Sequence, residues 1–365
     1  MVTSVLFGAD IFERQRVGGI SRYFIEIARH LQSEHFCEVN FESIIHINRA
    51  LGKLLPFQTC YLPFSPSRIN LNSSMRAAND LYGRYLSTRK QFDIRHETFI
   101  LKRENFSKSR FRVITVYDLI REKFTPNASL MTQRQQSIYD SDAIICISGT
   151  TARDLVEHYD VDSNKISVIP LGVEHSVFHV SKSKENLVSP FNLIYVGERD
   201  GYKNFSLLLD SFHQSASLRS KFRVLVFGKP WTPRESKLLL ELQLTEHFIQ
   251  LRGGDRYLNS IYQKSVALVV TSRYEGFGLP VLEAMASGCL VVSTREGSLA
   301  EICGGLDIPF RHDDPHSLEV ALFKALDFRL SDVYSEKDLI DYSTRFTWSN
   351  TAQQTYSVYS ELLKG

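Results

Sequence analysis

The sequence predicts two doubly wound α/β domains, each a mostly parallel sheet covered by helices on both faces. The first sign is an alternation of short β-rich apolar runs with stretches of helical period. The runs are Ser4–Phe7, Phe111–Val116, Ala143–Ile147, Ile166–Ile169, Leu193–Val196, Arg223–Phe227, Val266–Val270 and Leu290–Val292. Several are apolar at consecutive positions, as parallel strands buried on both faces require. The second sign is the amphipathic character of the segments between them. In Ile20–Leu31 the residues Ile20, Phe24, Ile27, Ala28 and Leu31 fall on one helical face, and Leu207–Phe212 reads similarly. The third is length: 365 residues exceed one typical core and suit two.

A strand ending in Pro170-Leu171-Gly172 is followed by a new series from Leu193, which places the break near Pro170–Val177 and the domains at 1–172 and 173–347. Two such domains would form a cleft between the carboxyl ends of their sheets, where open α/β folds take ligands. The stretch from Asn48 to Asn79 is polar and irregular and reads as no particular element.

Composition narrows the class. With 43% hydrophobic and 23% charged residues the chain has an ordinary globular balance, and a net charge of +2 argues against nucleic acid as a partner. Nine basic residues fall between Arg84 and Arg112, among them Arg89, Lys90, Lys102, Arg103, Lys108 and Arg110. A solvated face is the leading reading; contact of this 84–112 region with anionic lipid or a phosphorylated acceptor is the minority one. The five cysteines, Cys37, Cys60, Cys146, Cys289 and Cys303, show no paired spacing, which suits a reducing compartment. The N-terminus lacks a secretory pattern, and no apolar run approaches the ~18 residues of a membrane span. The expectation is a cytoplasmic protein, with peripheral contact at the inner face of the membrane at most.

The chemistry concentrates in Ser272-Arg273-Tyr274-Glu275-Gly276-Phe277-Gly278-Leu279-Pro280-Val281-Leu282-Glu283-Ala284-Met285-Ala286-Ser287-Gly288. It follows a buried strand; Gly276 and Gly278 permit a tight turn, Pro280 suits a first helical position and Gly288 a stop. Free amides at Phe277, Gly278 and Leu279 and the helix dipole would suit phosphate or sugar oxygens. Glu283 is placed in the first helical turn and Glu275 on the loop before it. Either acid alone would be read as a dipole complement or a solvated loop residue. Together with the glycine loop they read as two carboxylates in one pocket.

This segment resembles the Glu-x7-Glu signature of glycosyltransferase family four, the retaining, two-domain GT-B enzymes of group 1. The resemblance implies that Glu275 contacts the donor sugar, that the Phe277–Leu279 amides hold hydroxyls and phosphates, and that Glu283 binds the ribose. A second segment, Ile194-Tyr195-Val196-Gly197-Glu198-Arg199-Asp200-Gly201-Tyr202-Lys203-Asn204, is similar to the family's diphosphate clamp. It implies that Arg199 and Lys203 neutralise the departing nucleoside diphosphate, an electrostatic contribution of the usual large kind. The third, Val17-Gly18-Gly19-Ile20-Ser21-Arg22-Tyr23, resembles the N-terminal glycine loop, which implies Gly18 and Gly19 as backbone donors across the cleft, with Asp10 and Arg22 as neighbours. Phe92–Glu97 and Ile114–Leu119 resemble acceptor-side strand ends. Where the family often reads Thr-Val-His-Asp this chain has Thr115-Val116-Tyr117-Asp118, so Tyr117 or His96 takes the place of the histidine, or is an interior polar residue. The final stretch, 348–365, corresponds to the helix that packs back on the N-terminal domain.

The resemblance therefore implies a metal-independent retaining glycosyltransferase with no cofactor. It would move a sugar from a nucleoside diphosphate sugar to a hydroxyl of a glycan or polyprenyl-linked acceptor. The turn at Tyr195–Asn204 looks most like bacterial mannosyltransferases of surface-polysaccharide assembly, which makes GDP-mannose the first donor to test. Asp140-Ser141-Asp142 and Asp160-Val161-Asp162 match a metal-binding Asp-x-Asp, but both are read as solvated acids at element boundaries. The alternatives weighed are a sugar-nucleotide epimerase, a phosphorylase and a non-catalytic sugar-nucleotide-binding subunit. A nicotinamide dehydrogenase is disfavoured, since no Gly-x-Gly-x-x-Gly follows the first strand.

Overall fold

A computed structural model describes residues 2–55, 58–63, 71–98, 109–181, 189–331 and 335–364. The chain divides into two compact units, Met1–Gly172 with Trp348–Gly365, and Val173–Thr347. Each contains a six-stranded sheet whose pairs all run parallel.

The strands of the first unit are β1 (Thr3–Phe7), β2 (Cys37–Phe41), β3 (Ile45–His46), β4 (Cys60–Tyr61), β5 (Phe92–Glu97), β6 (Ser109–Val116), β7 (Ala143–Cys146) and β8 (Ile166–Val168). Those of the second are β9 (Phe191–Val196), β10 (Phe222–Phe227), β11 (Phe248–Leu251), β12 (Ala267–Val270), β13 (Leu290–Ser293) and β14 (Ile308–Pro309). The sheet orders are β2-β1-β5-β6-β7-β8 and β11-β10-β9-β12-β13-β14, with β3 and β4 forming a separate small pair. The central strands β1, β7 and β13 are buried at every position, because helices cover both faces. The strands not foreseen as apolar runs include β2, β11 and β14, which lie at the sheet edges. Glu38 of β2 is exposed and β11 is mostly half-buried, so the apolar signal there is weak.

In each sheet the order reverses once, between β1 and β5 and between β9 and β12. At such a switch point two adjacent loops diverge to opposite faces and leave a crevice at the carboxyl edge. The segment Asn48–Asn79, unreadable from sequence, contains the helix Arg49–Leu54 capped by the Asn48 side chain and the start of the helix Leu71–Arg89. In the first unit the helix Trp348–Lys364 packs on the helix Gly19–Ser33. Phe36, just beyond that helix, stacks on Tyr356 at 4.8 Å and 5°, and Trp348 packs near Tyr23. The second unit has its own continuous core, in which Phe205, Phe212 and Phe248 meet edge to face.

Candidate functional site

The loops after β9, β12 and β13 meet at the carboxyl edge of the second sheet. The turn after β9 runs through a single 3₁₀ turn, Gly201–Lys203, and ends at Asn204 in the left-handed region. The loop after β12 is tied to it twice: Thr271 Oγ1 donates to the Lys203 carbonyl at 2.7 Å and the Arg273 amide to the Tyr202 carbonyl at 2.7 Å. Across this junction Lys203 Nζ donates to Glu275 Oε1 at 2.6 Å, and Ser272 Oγ donates to the same oxygen at 2.6 Å. Both side chains are mostly withdrawn from solvent, 19% and 12% exposed. Water therefore screens the ion pair less than it would at an open surface. Glu275 Oε2 takes no hydrogen bond among the described residues.

The backbone of Glu275 rests on the loop after β13. Ser298 donates to the Glu275 carbonyl through its amide at 3.0 Å and its hydroxyl at 2.9 Å. Gly297 has φ +64°, and a Cβ there would lie 2.6 Å from the Glu275 oxygen and 2.7 Å from its nitrogen. Glycine is therefore required twice over, by conformation and by space. Sequence reasoning passed over Gly297 and Ser298; a Gly-Ser pair between a buried strand and a helix was the available signal.

The helix after the loop spans Leu279–Ala286, with Gly278 as its N-cap at φ +97°. Among the described residues the amides of Phe277, Gly278 and Leu279 have no acceptor, so three donors and the positive end of the helix are directed at the same edge. Glu283 is the fifth residue of this helix and not in its first turn, a correction to the sequence expectation. It is 6% exposed and accepts a long hydrogen bond from Tyr262 at 3.4 Å. A carboxylate kept in the interior does more than offset a dipole, because its desolvation is costly without partners. Burial first, and the Glu283 charge second, raise the Tyr262 hydroxyl well above its usual range, so it stays a proton donor.

Arg199 stands apart from this group. Its guanidinium forms a bidentate pair with Glu235 (2.5 and 3.0 Å), donates to the Lys229 and Pro230 carbonyls, and lies 4.6 Å from the Trp231 ring centroid. The structure thus joins Lys203 to Glu275 and turns Arg199 toward the loop after β10, instead of bringing both cations to one place. Arg199 holds Glu235 down at about 2, well under the usual carboxylate range.

In the first unit Gly18 caps the helix Gly19–Ser33 without a side-chain cap, and the amides of Gly18, Gly19 and Ile20 have no acceptor among the described residues. The next amide, of Ser21, is taken by Gln15 Oε1 at 3.1 Å. Asp10 opens the short helix after β1, and Arg22 is half-buried in the first turns of the glycine-capped helix. Asp118 Oδ1 accepts from the Ile120 amide at 3.1 Å, a local turn bond.

His96 takes the second of the two readings open to it, that of an interior polar residue. It is fully buried, with Nδ1 paired to the Tyr359 hydroxyl at 2.6 Å and Nε2 to the Thr115 hydroxyl at 2.8 Å. Neither nitrogen is available to a sugar, and burial pushes the imidazole down to about 3. Tyr117 is 7% exposed and packed edge-on to Tyr23 at 5.7 Å, with its hydroxyl buried beside Thr115.

The basic run also differs from a uniform solvated face. Arg95 is buried between Glu42 and Glu97, Lys90 pairs with Glu38, and Arg112 with Asp140. Lys102, Arg103 and Lys108 lie outside the described residues. Of the Asp-x-Asp pairs, Asp142 accepts from the Arg112 amide and Asp162 from the Asn164 amide, while Asp160 is a left-handed helix cap. Among the described residues no helix is long and apolar enough to cross a membrane.

Two family models match the chain. Glycosyltransferase Family 4 covers residues 17–177 and Glycosyl transferases group 1 covers residues 179–318. A D-inositol 3-phosphate glycosyltransferase of Corynebacterium efficiens is 28% identical over 250 residues, 62% of this chain and 58% of the relative. An MMP alpha-(1->4)-mannosyltransferase of Mycolicibacterium hassiacum is 29% identical over 237 residues, 60% of this chain and 54% of the relative. The matched region thus spans little more than half the length of these relatives. The solved sucrose-phosphate synthase of Thermosynechococcus elongatus has the same fold, with a TM-score of 0.76 at 17% identity over 99% of both chains.

Proposed function

The chain belongs to the group 1 and family 4 glycosyltransferases of GT-B fold, and on that premise we propose that it transfers a sugar from a nucleoside diphosphate sugar to a hydroxyl acceptor. The observation that carries this reading is the Lys203–Glu275 pair beside three amides that have no acceptor among the described residues, at the switch point of a parallel sheet. A diphosphate leaving group gains negative charge as the glycosidic bond breaks. Prepositioned donors that meet this charge without reorganising lower the barrier. Lys203 and the Phe277–Leu279 amides are such donors, and Glu275 Oε2 would accept from a sugar hydroxyl.

In this reading the anomeric carbon parts from the phosphate oxygen and bonds to the acceptor oxygen on the same face, and the acceptor proton passes to the departing phosphate. Configuration is retained without the carboxylate pair at ~5 Å that a covalent retaining route uses. Glu283, held inside by Tyr262, serves the ribose. The charge of the phosphate is met by protein donors, so the reading needs no metal and turnover survives chelation by EDTA.

GDP-mannose is the proposed donor; the name of the mannosyltransferase relative supports its sugar. The proposed acceptor is a hydroxyl of a glycan or polyprenyl-linked intermediate of surface-polysaccharide assembly, reached at the cytoplasmic face of the membrane. The test is a panel of GDP- and UDP-sugars scored by thermal shift and by donor hydrolysis. Selective stabilisation and turnover of GDP-mannose are expected. Selective use of UDP-sugars would overturn the mannose assignment, and indifference to every nucleotide sugar would overturn the function.

A further inference from the structure

We propose that Arg199 acts on the reaction through Lys203, as a positioning residue in a brace completed by Glu235 and Trp231, and does not itself hold the donor. The inference rests on the transferase reading above and concerns how the same site is built.

The turn Gly197–Asn204 presents Lys203 and is held by two legs. The far leg is fastened by Thr271 and Arg273, from the loop that carries Glu275. The near leg is fastened by Tyr195, whose hydroxyl donates to the Glu198 carbonyl at 2.6 Å, and by Arg199. Arg199 Nε and Nη2 reach Glu235 at 2.5 and 3.0 Å, Nη1 reaches the Lys229 carbonyl at 2.9 Å, and Nη2 also reaches the Pro230 carbonyl at 3.0 Å. A guanidinium has five N–H groups, and most are committed here. The side chain is only 6% exposed and is covered on one face by Trp231. Gripping a diphosphate requires a free fork, and this fork is occupied.

Its partner is also anchored. Glu235 is the third residue of the helix Pro233–Glu241, where the Thr232 amide and hydroxyl donate to Glu235 Oε2 at 2.7 and 2.8 Å and the Glu235 amide returns a bond to Thr232 Oγ1. Arg199 therefore grasps a helix start, not a mobile side chain. The two strand ends lie close: a Cβ on Gly228 would approach the Gly197 carbonyl to 3.0 Å. Removing the brace leaves the near leg held by Tyr195 alone while the far leg stays fixed, so the turn loosens and the Lys203 ammonium leaves its place. A displacement of about 1 Å at a catalytic group can cost up to about a hundredfold in rate.

The experiment is a double-mutant cycle on the full chain, reading kcat, KM and the affinity for GDP and UDP, with thermal unfolding as the fold control. Arg199→Ala is expected to lower kcat about tenfold with little change in KM, to be matched by Glu235→Gln, and to add nothing in a Lys203→Ala background. If Arg199→Ala does not fold, Glu235→Gln takes its place in the cycle. The proposal is overturned if the Arg199 or Glu235 substitution costs the same factor with and without Lys203. It is equally overturned if Arg199→Ala abolishes turnover while Glu235→Gln leaves it at the wild-type level. Affinity for GDP needs no turnover: it is expected to fall in Arg199→Ala and to fall no further when Arg199→Ala is added to Lys203→Ala, so a failed transferase reading shows in the wild type and a failed brace shows in the cycle.

Discussion

Lys203 and Glu275, from loops after different strands of one sheet, share a hydrogen bond of 2.6 Å. In the proposed reading this ammonium would meet the negative charge of the leaving group, and the second carboxylate oxygen would take a sugar hydroxyl. Lys203→Ala is predicted to lower transfer by at least about a hundredfold, the usual cost of one electrostatic donor in such a site. Initial rates with a saturating donor would check this, and near-normal turnover would remove Lys203 from the mechanism.

Gly297 is predicted to tolerate no side chain. Gly297→Ala adds a Cβ against the Glu275 backbone at φ +64°, whereas Gly305→Ala meets nothing within 4 Å at φ +79°. Both should lose on the order of 1–3 kcal/mol from left-handed strain. Only Gly297→Ala should also lose activity, because it displaces the loop that holds Glu275. Urea denaturation beside kinetics separates the two effects.

His96 should make the protein acid-sensitive. Its folded-state value near 3 lies below the ordinary histidine value of ~6.5, so between these the unfolded chain binds the extra proton. The stability from the neutral ring is full above ~6.5 and falls as pH drops toward 3, by up to about 1.4 kcal/mol per pH unit. His96→Gln should be less stable at pH 7 yet show a shallower loss between pH 6.5 and 4. Chemical denaturation across this range measures the slope; an unchanged slope would be the contrary result.

One thiol should react in the native protein. Cys60 is exposed, while Cys37, Cys146, Cys289 and Cys303 are buried. Burial pushes Cys37, Cys146 and Cys289 up to about 12 and raises Cys303 as well, which suppresses the reactive thiolate. A chromogenic thiol reagent at pH 8 should titrate one group in buffer and five in denaturant.

Part of the fold and of the site is legible in the sequence. Val266–Val270 and Ala143–Ile147 read as buried strands because parallel sheets demand uninterrupted apolar runs. The Glu275–Glu283 segment read as a strand, a glycine turn and a helix because glycine and proline act locally on the backbone. Edge strands such as β11 and β14 were not legible, being short and only partly covered.

By itself, the sequence determined the α/β class, the glycine loop at 276–278 and the residue types gathered at the carboxyl edge of the second sheet, since periodicity and turn chemistry are properties of neighbours along the chain. Tertiary structure alone decided which side chains meet. Arg199 finds Glu235 across 36 residues, and His96 finds Tyr359 across 263. Such pairings depend on where the sheet order and helix packing bring distant groups, and an arginine or histidine beside a recognisable motif can therefore be turned into the interior. That is why Lys203 meets Glu275 while Arg199, its expected companion, pairs with Glu235 instead.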